Sequence, residues 1–137
     1  MLKETELFAA ALAVRQHAYA PWSHFRVGAA VQMASGRIYA GCNVENASFS
    51  LTCCAERVAI FQAIAAGETR LVGVVVITDT EPAASPCGAC RQVLYEFGPD
   101  AEILMADLAG VQRRARLREL LPGGFGPEDL RRGQKPL

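Results

Sequence analysis

The sequence predicts an α/β fold in which helices pack on a mixed sheet, and three observations support this prediction. Apolar residues recur at helical spacing near the amino terminus, and the period changes to two from Phe25 onward. Further along, short apolar strand-like runs alternate with amphipathic helical segments. The chain has 137 residues, of which 51% are hydrophobic, so a single domain spanning residues 1–137 is expected.

The first half of the chain predicts a helix, a hairpin and a second helix. Residues 7–18 have an apolar face opposed by charged residues, and Pro21 ends this amphipathic helix. Alternating apolar residues over 25–33 predict a strand, and a Ser-Gly turn leads to a second strand over 38–44. A helix with a glycine cap is then expected over 54–67.

The second half continues the alternation and ends in an irregular tail. Residues 72–78 are apolar enough to form a buried strand, residues 86–98 a helix, and residues 102–106 a short strand. A further helix is predicted over 115–121. Four glycines and three prolines over 122–137 predict an irregular tail.

Charge and hydropathy disfavour nucleic acid and membrane as partners. Basic and acidic residues are equal at 14 each, whereas proteins that bind nucleic acid usually carry a basic excess. No apolar run approaches the roughly 18 residues of a membrane-spanning helix. One cluster of arginines is expected to be a solvated helix face instead of a binding patch: Arg113, Arg114, Arg116 and Arg118.

The amino terminus predicts a cytoplasmic protein with its native start. The apolar run at 7–14 resembles part of a signal peptide, but Glu4 and Glu6 cancel the positive charge that such peptides carry at their start. Pro21 would follow the supposed cleavage site. The chain is therefore predicted not to be secreted.

The five cysteines favour metal binding over disulfides, because the number is odd and a secretory signal is disfavoured. Cys87 and Cys90 are three residues apart at a predicted helix start, which places both sulfurs on one side of the first turn. Cys54 begins the motif Cys-Ala-Glu-Arg at another helix start. Helix amino termini lower the pKa of thiols, so these three cysteines suit a zinc ion.

Three thiolates would leave one zinc position open, as in catalytic sites, where a bound water becomes acidic. Glu56 is the predicted proton shuttle for that water. Arg57 is predicted to donate hydrogen bonds to a ligand sulfur and so to offset the negative charge of the three thiolates. Two alternatives stay open: Cys53 as the ligand in place of Cys54, and a histidine as a fourth ligand, His17 or His24, which would make a structural zinc module.

The motifs together resemble the cytidine deaminase family, in its short, homotetrameric type. The residues that carry the resemblance are Cys54-Ala-Glu-Arg, Pro86-Cys-Gly-Ala-Cys, Phe25 with Val27-Gly-Ala-Ala, and Asn43-Val-Glu-Asn-Ala. The resemblance implies a three-layer helix/mixed-sheet/helix cytidine deaminase-like fold and one zinc ion per chain. It also implies hydrolysis of cytidine and 2′-deoxycytidine to the uridines plus ammonia, in pyrimidine salvage, by zinc-bound hydroxide attacking C4 while Glu56 transfers protons.

The resemblance also implies which residues bind the nucleoside. Asn43 and Glu45 alternate along the end of a strand and would bind ribose hydroxyls. Phe25 and Ala55 would line the pocket, and Phe125 would complete a neighbouring subunit's site.

Two positions depart from the family pattern: Phe49 replaces a common tyrosine, and Cys53 is an extra cysteine. Blasticidin-type nucleosides remain an alternative substrate class, since their deaminases share these motifs.

Overall fold

A computed structural model describes residues 1–134 of the chain. A short 3-10 turn lies at Phe49–Leu51. In chain order the helices and strands are α1 Glu4–Arg15, β1 Val27–Met33, β2 Ile38–Cys42, α2 Ala55–Ala65, β3 Leu71–Thr78, α3 Gly88–Phe97, β4 Glu102–Ala106, β5 Val111–Arg116, α4 Leu117–Leu120 and α5 Pro127–Gly133.

The strands form one mixed sheet in the order β2-β1-β3-β4-β5. Only β3 and β4 are parallel, and the other neighbours in this sheet are antiparallel. Helix α1 covers one face, where Leu7 and Ala11 pack against Ala30 and Val75. Helices α2 and α3 cover the opposite face. The predicted three-layer helix/mixed-sheet/helix fold is therefore confirmed.

Two glycines let helices approach the sheet at backbone distance. A methyl group added at Gly28 of β1 would overlap the carbonyl oxygen of Ala11 in α1. A methyl group added at Gly41 of β2 would lie 2.5 Å from the amide nitrogen of Ala59 in α2. The second contact matters for the site, because it sets how closely α2 sits on the sheet.

The predicted strands over the first half are confirmed, but they are shorter than expected. The side chain of Asn43 accepts a hydrogen bond from the amide of Val27 and donates one to the carbonyl of Phe25. These side-chain hydrogen bonds replace backbone pairing between the strands at this point. Strand β2 therefore ends at Cys42, and β1 begins at Val27. Helix α1 also ends earlier than predicted, at Arg15.

The helix predicted over 115–121 is wrong in its first part. Residues Val111–Arg116 form the edge strand β5, paired antiparallel with β4, and only Leu117–Leu120 are helical. The arginines that were expected on a helix face lie on this strand and just after it. Arg114 forms an ion pair with Glu4, and Arg113 donates to the carbonyl of Ala83. Charged side chains are a common feature of exposed sheet edges.

The irregular tail predicted over 122–137 is also corrected, because it contains α5. Pro127 begins this helix, and the carboxylate of Asp129 accepts a hydrogen bond from the amide of Gly126. Residues 135–137 of the predicted tail lie outside the described residues. Among the helices of the described part of the chain, none is long and apolar enough to cross a membrane.

Candidate active site

Two helix amino termini converge on one face of the sheet. Cys54 is the N-cap residue of α2, Cys87 is the N-cap residue of α3, and Cys90 lies in the first turn of α3. The three sulfur atoms all lie within 4.8 Å of one another. The Sγ atoms of Cys54 and Cys87 are 3.9 Å apart. The two motifs, 33 residues apart in the chain, therefore form a single cluster.

The geometry of this cluster fits a zinc ion. Two thiolates bound tetrahedrally to zinc at about 2.3 Å lie about 3.8 Å apart, close to the observed separation. Within residues 1–134 the cluster contains three cysteines and neither His17 nor His24, so the alternative of a histidine as fourth ligand is not supported. Cys53 is outside the cluster, which favours Cys54 as the ligand.

The cysteine side chains form hydrogen bonds with one another and with the guanidinium of Arg57. The pKa of Cys54 is lowered to about 5, mainly by a hydrogen bond from Cys90 and to a smaller extent by a hydrogen bond from Arg57. The same bond to Cys54, together with burial, raises the pKa of Cys90. Arg57 Nη2 lies 3.4 Å from Cys54 Sγ, and its buried Nε has no hydrogen-bond partner within the described residues 1–134. An arginine thus donates directly to one candidate ligand sulfur.

Glu56 is a buried carboxyl group beside the sulfurs. Only 4% of its surface is exposed, and burial raises its pKa to about 7. A carboxyl group with this pKa can both accept and donate a proton at neutral pH. Glu56 lies two residues after Cys54 on α2, so the helix itself holds the carboxyl group near the cluster.

A cavity of about 260 Å³ opens beside Glu56 and the sulfurs. Its size is near the lower end of small-molecule sites, which begins at about 300 Å³. Among residues 1–134, those that line it include neither lysine nor arginine. Besides Glu56, the lining includes the predicted site residues Phe25, Asn43, Glu45, Cys54, Ala55 and Cys87.

Two further polar residues of the lining, Asn43 and Glu45, are held by backbone atoms and by the Ser23 hydroxyl. The amides of Trp22 and Ser23 donate to Glu45 Oε1 at 2.9 and 3.1 Å, and the Ser23 hydroxyl donates to Oε2. The Ser23 hydroxyl makes the largest contribution to lowering the pKa of Glu45. Asn43 is held equally firmly, with Oδ1 2.9 Å from the amide of Val27 and Nδ2 2.7 Å from the carbonyl oxygen of Phe25.

Some predicted residues lie elsewhere, and some lining residues were missed. Phe125 does not line this cavity and is 55% exposed. Ser23, Thr52 and Ser85 line it but were not predicted. The amide of Phe25 donates to the Ser23 hydroxyl, a local contact typical of serine, but nothing in the local sequence indicates the contact of Ser23 with Glu45.

Residues 1–106 match the family model described as the cytidine and deoxycytidylate deaminase zinc-binding region. This chain belongs to the cytidine and deoxycytidylate deaminase family. A cytidine deaminase of Halalkalibacterium halodurans is 45% identical over 121 residues, covering 88% of this chain and 92% of that protein. The crystal structure of the Burkholderia pseudomallei cytidine deaminase is 43% identical with a TM-score of 0.85, and the match covers 91% of this chain and all of that one. The Mycobacterium leprae cytidine deaminase structure is 41% identical with a TM-score of 0.76, over 89% of this chain and 99% of that one.

Proposed function

We propose that this chain hydrolyses cytidine and 2′-deoxycytidine to uridine and 2′-deoxyuridine plus ammonia. The observation that carries the proposal is that one cavity is lined both by Cys54, Cys87 and the buried carboxyl group of Glu56 and by Asn43 and Glu45. The first group of side chains suits hydrolysis, and the second suits a sugar. The relatives named above are themselves cytidine deaminases.

The chemistry is divided between a metal and one carboxyl group. Zinc would be held by Cys54, Cys87 and Cys90 and would supply a Lewis acid that makes a water molecule acidic near neutral pH. In this proposal a carboxylate oxygen of Glu56 accepts one proton of the attacking water and delivers it to N3 of the ring. Glu56 then takes the proton of the hydroxyl group added at C4 and passes it to the amine, which leaves as ammonia. The pKa of Glu56, about 7, suits both directions of transfer.

Arg57 has a supporting role in this proposal. Its guanidinium donates to Cys54 Sγ at 3.4 Å, which draws negative charge away from a ligand sulfur. Three thiolates around one divalent cation otherwise carry a net negative charge, which disfavours ionisation of water. We therefore assign Arg57 to tuning the charge at the metal.

The cavity favours a nucleoside over a nucleotide. A phosphate there would meet the carboxylate of Glu45 and, among the lining residues that the structure describes, no lysine or arginine. Beyond its internal bonds, Asn43 Nδ2 keeps one further N–H and Glu45 Oε2 keeps a further lone pair, which suit sugar hydroxyls. Phe25 and Ala55 provide apolar walls for the base.

One substrate panel tests the proposal. Deamination is measured with cytidine, 2′-deoxycytidine, cytosine, cytidine monophosphate and a blasticidin-type nucleoside, and zinc is quantified in the same sample. We expect one zinc per chain and turnover of the first two compounds only. Preferred turnover of the monophosphate or the antibiotic would refute the substrate assignment, and a zinc centre with four protein ligands would refute the chemistry.

We also propose that the protein is a cytoplasmic homotetramer acting in pyrimidine salvage. Large apolar side chains are exposed near the cavity, with Trp22 at 54% and Phe49 at 73%, and their rings lie 6.5 Å apart. Exposed apolar clusters of this kind are typical of interfaces.

All five cysteines lie in the described part of the chain as free thiols, which suits a reducing compartment such as the cytoplasm. Sedimentation equilibrium tests the tetramer, and Phe125→Ala tests whether a neighbour's tail contributes to the site.

A further inference from the structure

We infer that Ser23 is a positioning residue for the carboxylate of Glu45, which the proposed function assigns to the sugar, so the inference rests on that function. Its hydroxyl donates to Glu45 Oε2 and accepts a hydrogen bond from the amide of Phe25 at 3.0 Å. One side chain therefore holds both a polar group for the sugar and the backbone of an aromatic wall for the base.

The carboxylate of Glu45 is oriented by one turn. Oε1 accepts from the amides of Trp22 and Ser23, and Oε2 accepts from the Ser23 hydroxyl. The hydroxyl is the only one of these three donors that a substitution can remove without changing the backbone. Without it, Oε2 loses its partner and the carboxylate can rotate about its remaining bonds.

The backbone beside Ser23 also needs this support. His24 has a φ of 59°, in the left-handed region that non-glycine residues seldom adopt. Such a conformation persists where the surroundings hold it in place. Here two hydrogen bonds hold it: the amide of Phe25 donates to the Ser23 hydroxyl, and the amide of His24 donates to the carbonyl of Ala20 at 3.0 Å.

The groups assigned to chemistry lie on other elements. Glu56 is on α2, and two of the three sulfurs are on or at the start of α3. Loss of the Ser23 hydroxyl should therefore weaken binding of the sugar while leaving the chemical step largely intact. The effect should appear in KM, and only for substrates with the sugar hydroxyls that Glu45 recognises.

The test compares Ser23→Ala and Ser23→Thr with a matched control, Ser35→Ala. The Ser35 hydroxyl likewise accepts a hydrogen bond from the amide two residues later, that of Arg37, at 3.1 Å. It also makes the largest contribution to lowering the pKa of a glutamate, Glu68. Ser35 does not line the cavity. Kinetics are measured with cytidine and with 2′,3′-dideoxycytidine, which lacks both secondary hydroxyls. Thermal unfolding of each variant shows that it is folded.

For Ser23→Ala we expect KM for cytidine to rise about tenfold, with kcat within about twofold of wild type and little change in KM for the dideoxy compound. Ser23→Thr should restore KM, and Ser35→Ala should leave it unchanged. Combining Ser23→Ala with Glu45→Gln should add little to the KM effect of Glu45→Gln alone, because both act through one carboxylate.

Four results would each overturn the inference. Ser23→Ala could leave KM for cytidine unchanged, or it could raise KM equally for both substrates. Ser23→Thr could be as poor as Ser23→Ala, or the effects of Ser23→Ala and Glu45→Gln on KM could be fully additive. If wild type deaminates cytidine and one of these results is found, the inference alone fails. If wild type does not deaminate cytidine, the proposed function fails and takes the inference with it.

Discussion

The amino-terminal turns of α2 and α3 are alike in sequence but differ in what they contribute. Each begins with a cysteine N-cap, Cys54 or Cys87, and each carries an arginine shortly afterwards. Arg57 donates to a sulfur, whereas Arg91 donates to oxygen atoms only. The first turn of α2 also carries the buried carboxyl group of Glu56, and the first turn of α3 has no acidic residue.

The three bonds of Arg91 explain the role of α3. Its Nε donates to the carbonyl of Pro86 and its Nη2 to the hydroxyl of Ser85, both at 2.7 Å, and its Nη1 donates to the carbonyl of Leu120 at 2.8 Å. These bonds fix the segment just before Cys87 and connect it to the end of α4. Helix α2 therefore carries reactive groups, and α3 carries ligands whose approach segment is anchored by the later chain.

The largest expected effect comes from removing one of the three cysteines that would bind zinc. Cys87→Ala should abolish zinc retention and activity together, because two sulfurs cannot replace the three-thiolate site. Cys53→Ala is the matched control, since Cys53 is adjacent to Cys54 but outside the cluster, and it should keep one zinc per chain. Metal analysis after dialysis measures both, and zinc loss in the control variant instead would show that the ligand register is shifted by one residue.

Replacing the carboxyl group of α2 separates chemistry from metal binding. Glu56→Gln should lower kcat by about 10²–10⁴-fold, the usual contribution of a general acid–base group, while zinc stays bound. Glu96→Gln makes the same change at an exposed position of α3 and should leave kcat unchanged. Steady-state kinetics with zinc analysis provide the measurement, and near-normal activity in Glu56→Gln would rule out the proton-shuttle role.

Replacing Arg57 should mainly affect kcat, whereas replacing Arg91 should mainly affect stability. Arg57→Gln should lower kcat by about tenfold with little loss of stability. Arg57 lowers the pKa of Glu56, so its removal raises that pKa, and activity should then fall at a higher pH as the solution is acidified. A pH–rate profile measures this shift, and an unchanged acid limb would contradict the electrostatic coupling.

Arg91→Gln should instead destabilise the fold by about 2 kcal/mol, because oxygen acceptors beside the site lose their donors. The acid limb of its pH–rate profile should not move. Denaturant unfolding of the two variants side by side makes the comparison. Equal stability losses would mean that Arg57 and Arg91 do not divide their roles as the contacts indicate.

A last pair of variants, with effects on stability alone, tests how closely each helix packs on the sheet. Gly41→Ala should cost about 1–3 kcal/mol of stability, since the new methyl group would lie 2.5 Å from the backbone of α2. Gly88→Ala, in the first turn of α3, meets no atom within 4 Å and should be neutral or stabilising by up to about 1 kcal/mol. Thermal unfolding distinguishes them, and similar shifts for both would contradict the close seating of α2.

Local signals led to the cysteine cluster, and to the position of Glu56 beside it, because short spacings at helix starts place side chains on one side of a turn. The proton-shuttle role of Glu56 stays a prediction. The edge strand β5 was misjudged because its arginine-rich sequence has no apolar period of two, and pairing with β4 supplies its stability. Ser23 and Arg91 were missed because their partners Glu45 and Leu120 lie 22 and 29 residues away.

By itself, the sequence determined most of the alternation of elements, the spacing of Cys87 and Cys90 within one helical turn, and the placement of Glu56 two residues after Cys54, since each of these follows from geometry within one helix or strand. Only the tertiary structure decided that Cys54 and Cys87 lie 3.9 Å apart and that Glu56 is buried enough to raise its pKa to about 7. The physical reason is that distances between elements and the loss of solvent depend on how helices pack on the sheet. The seating of α2 against Gly41 belongs to that packing.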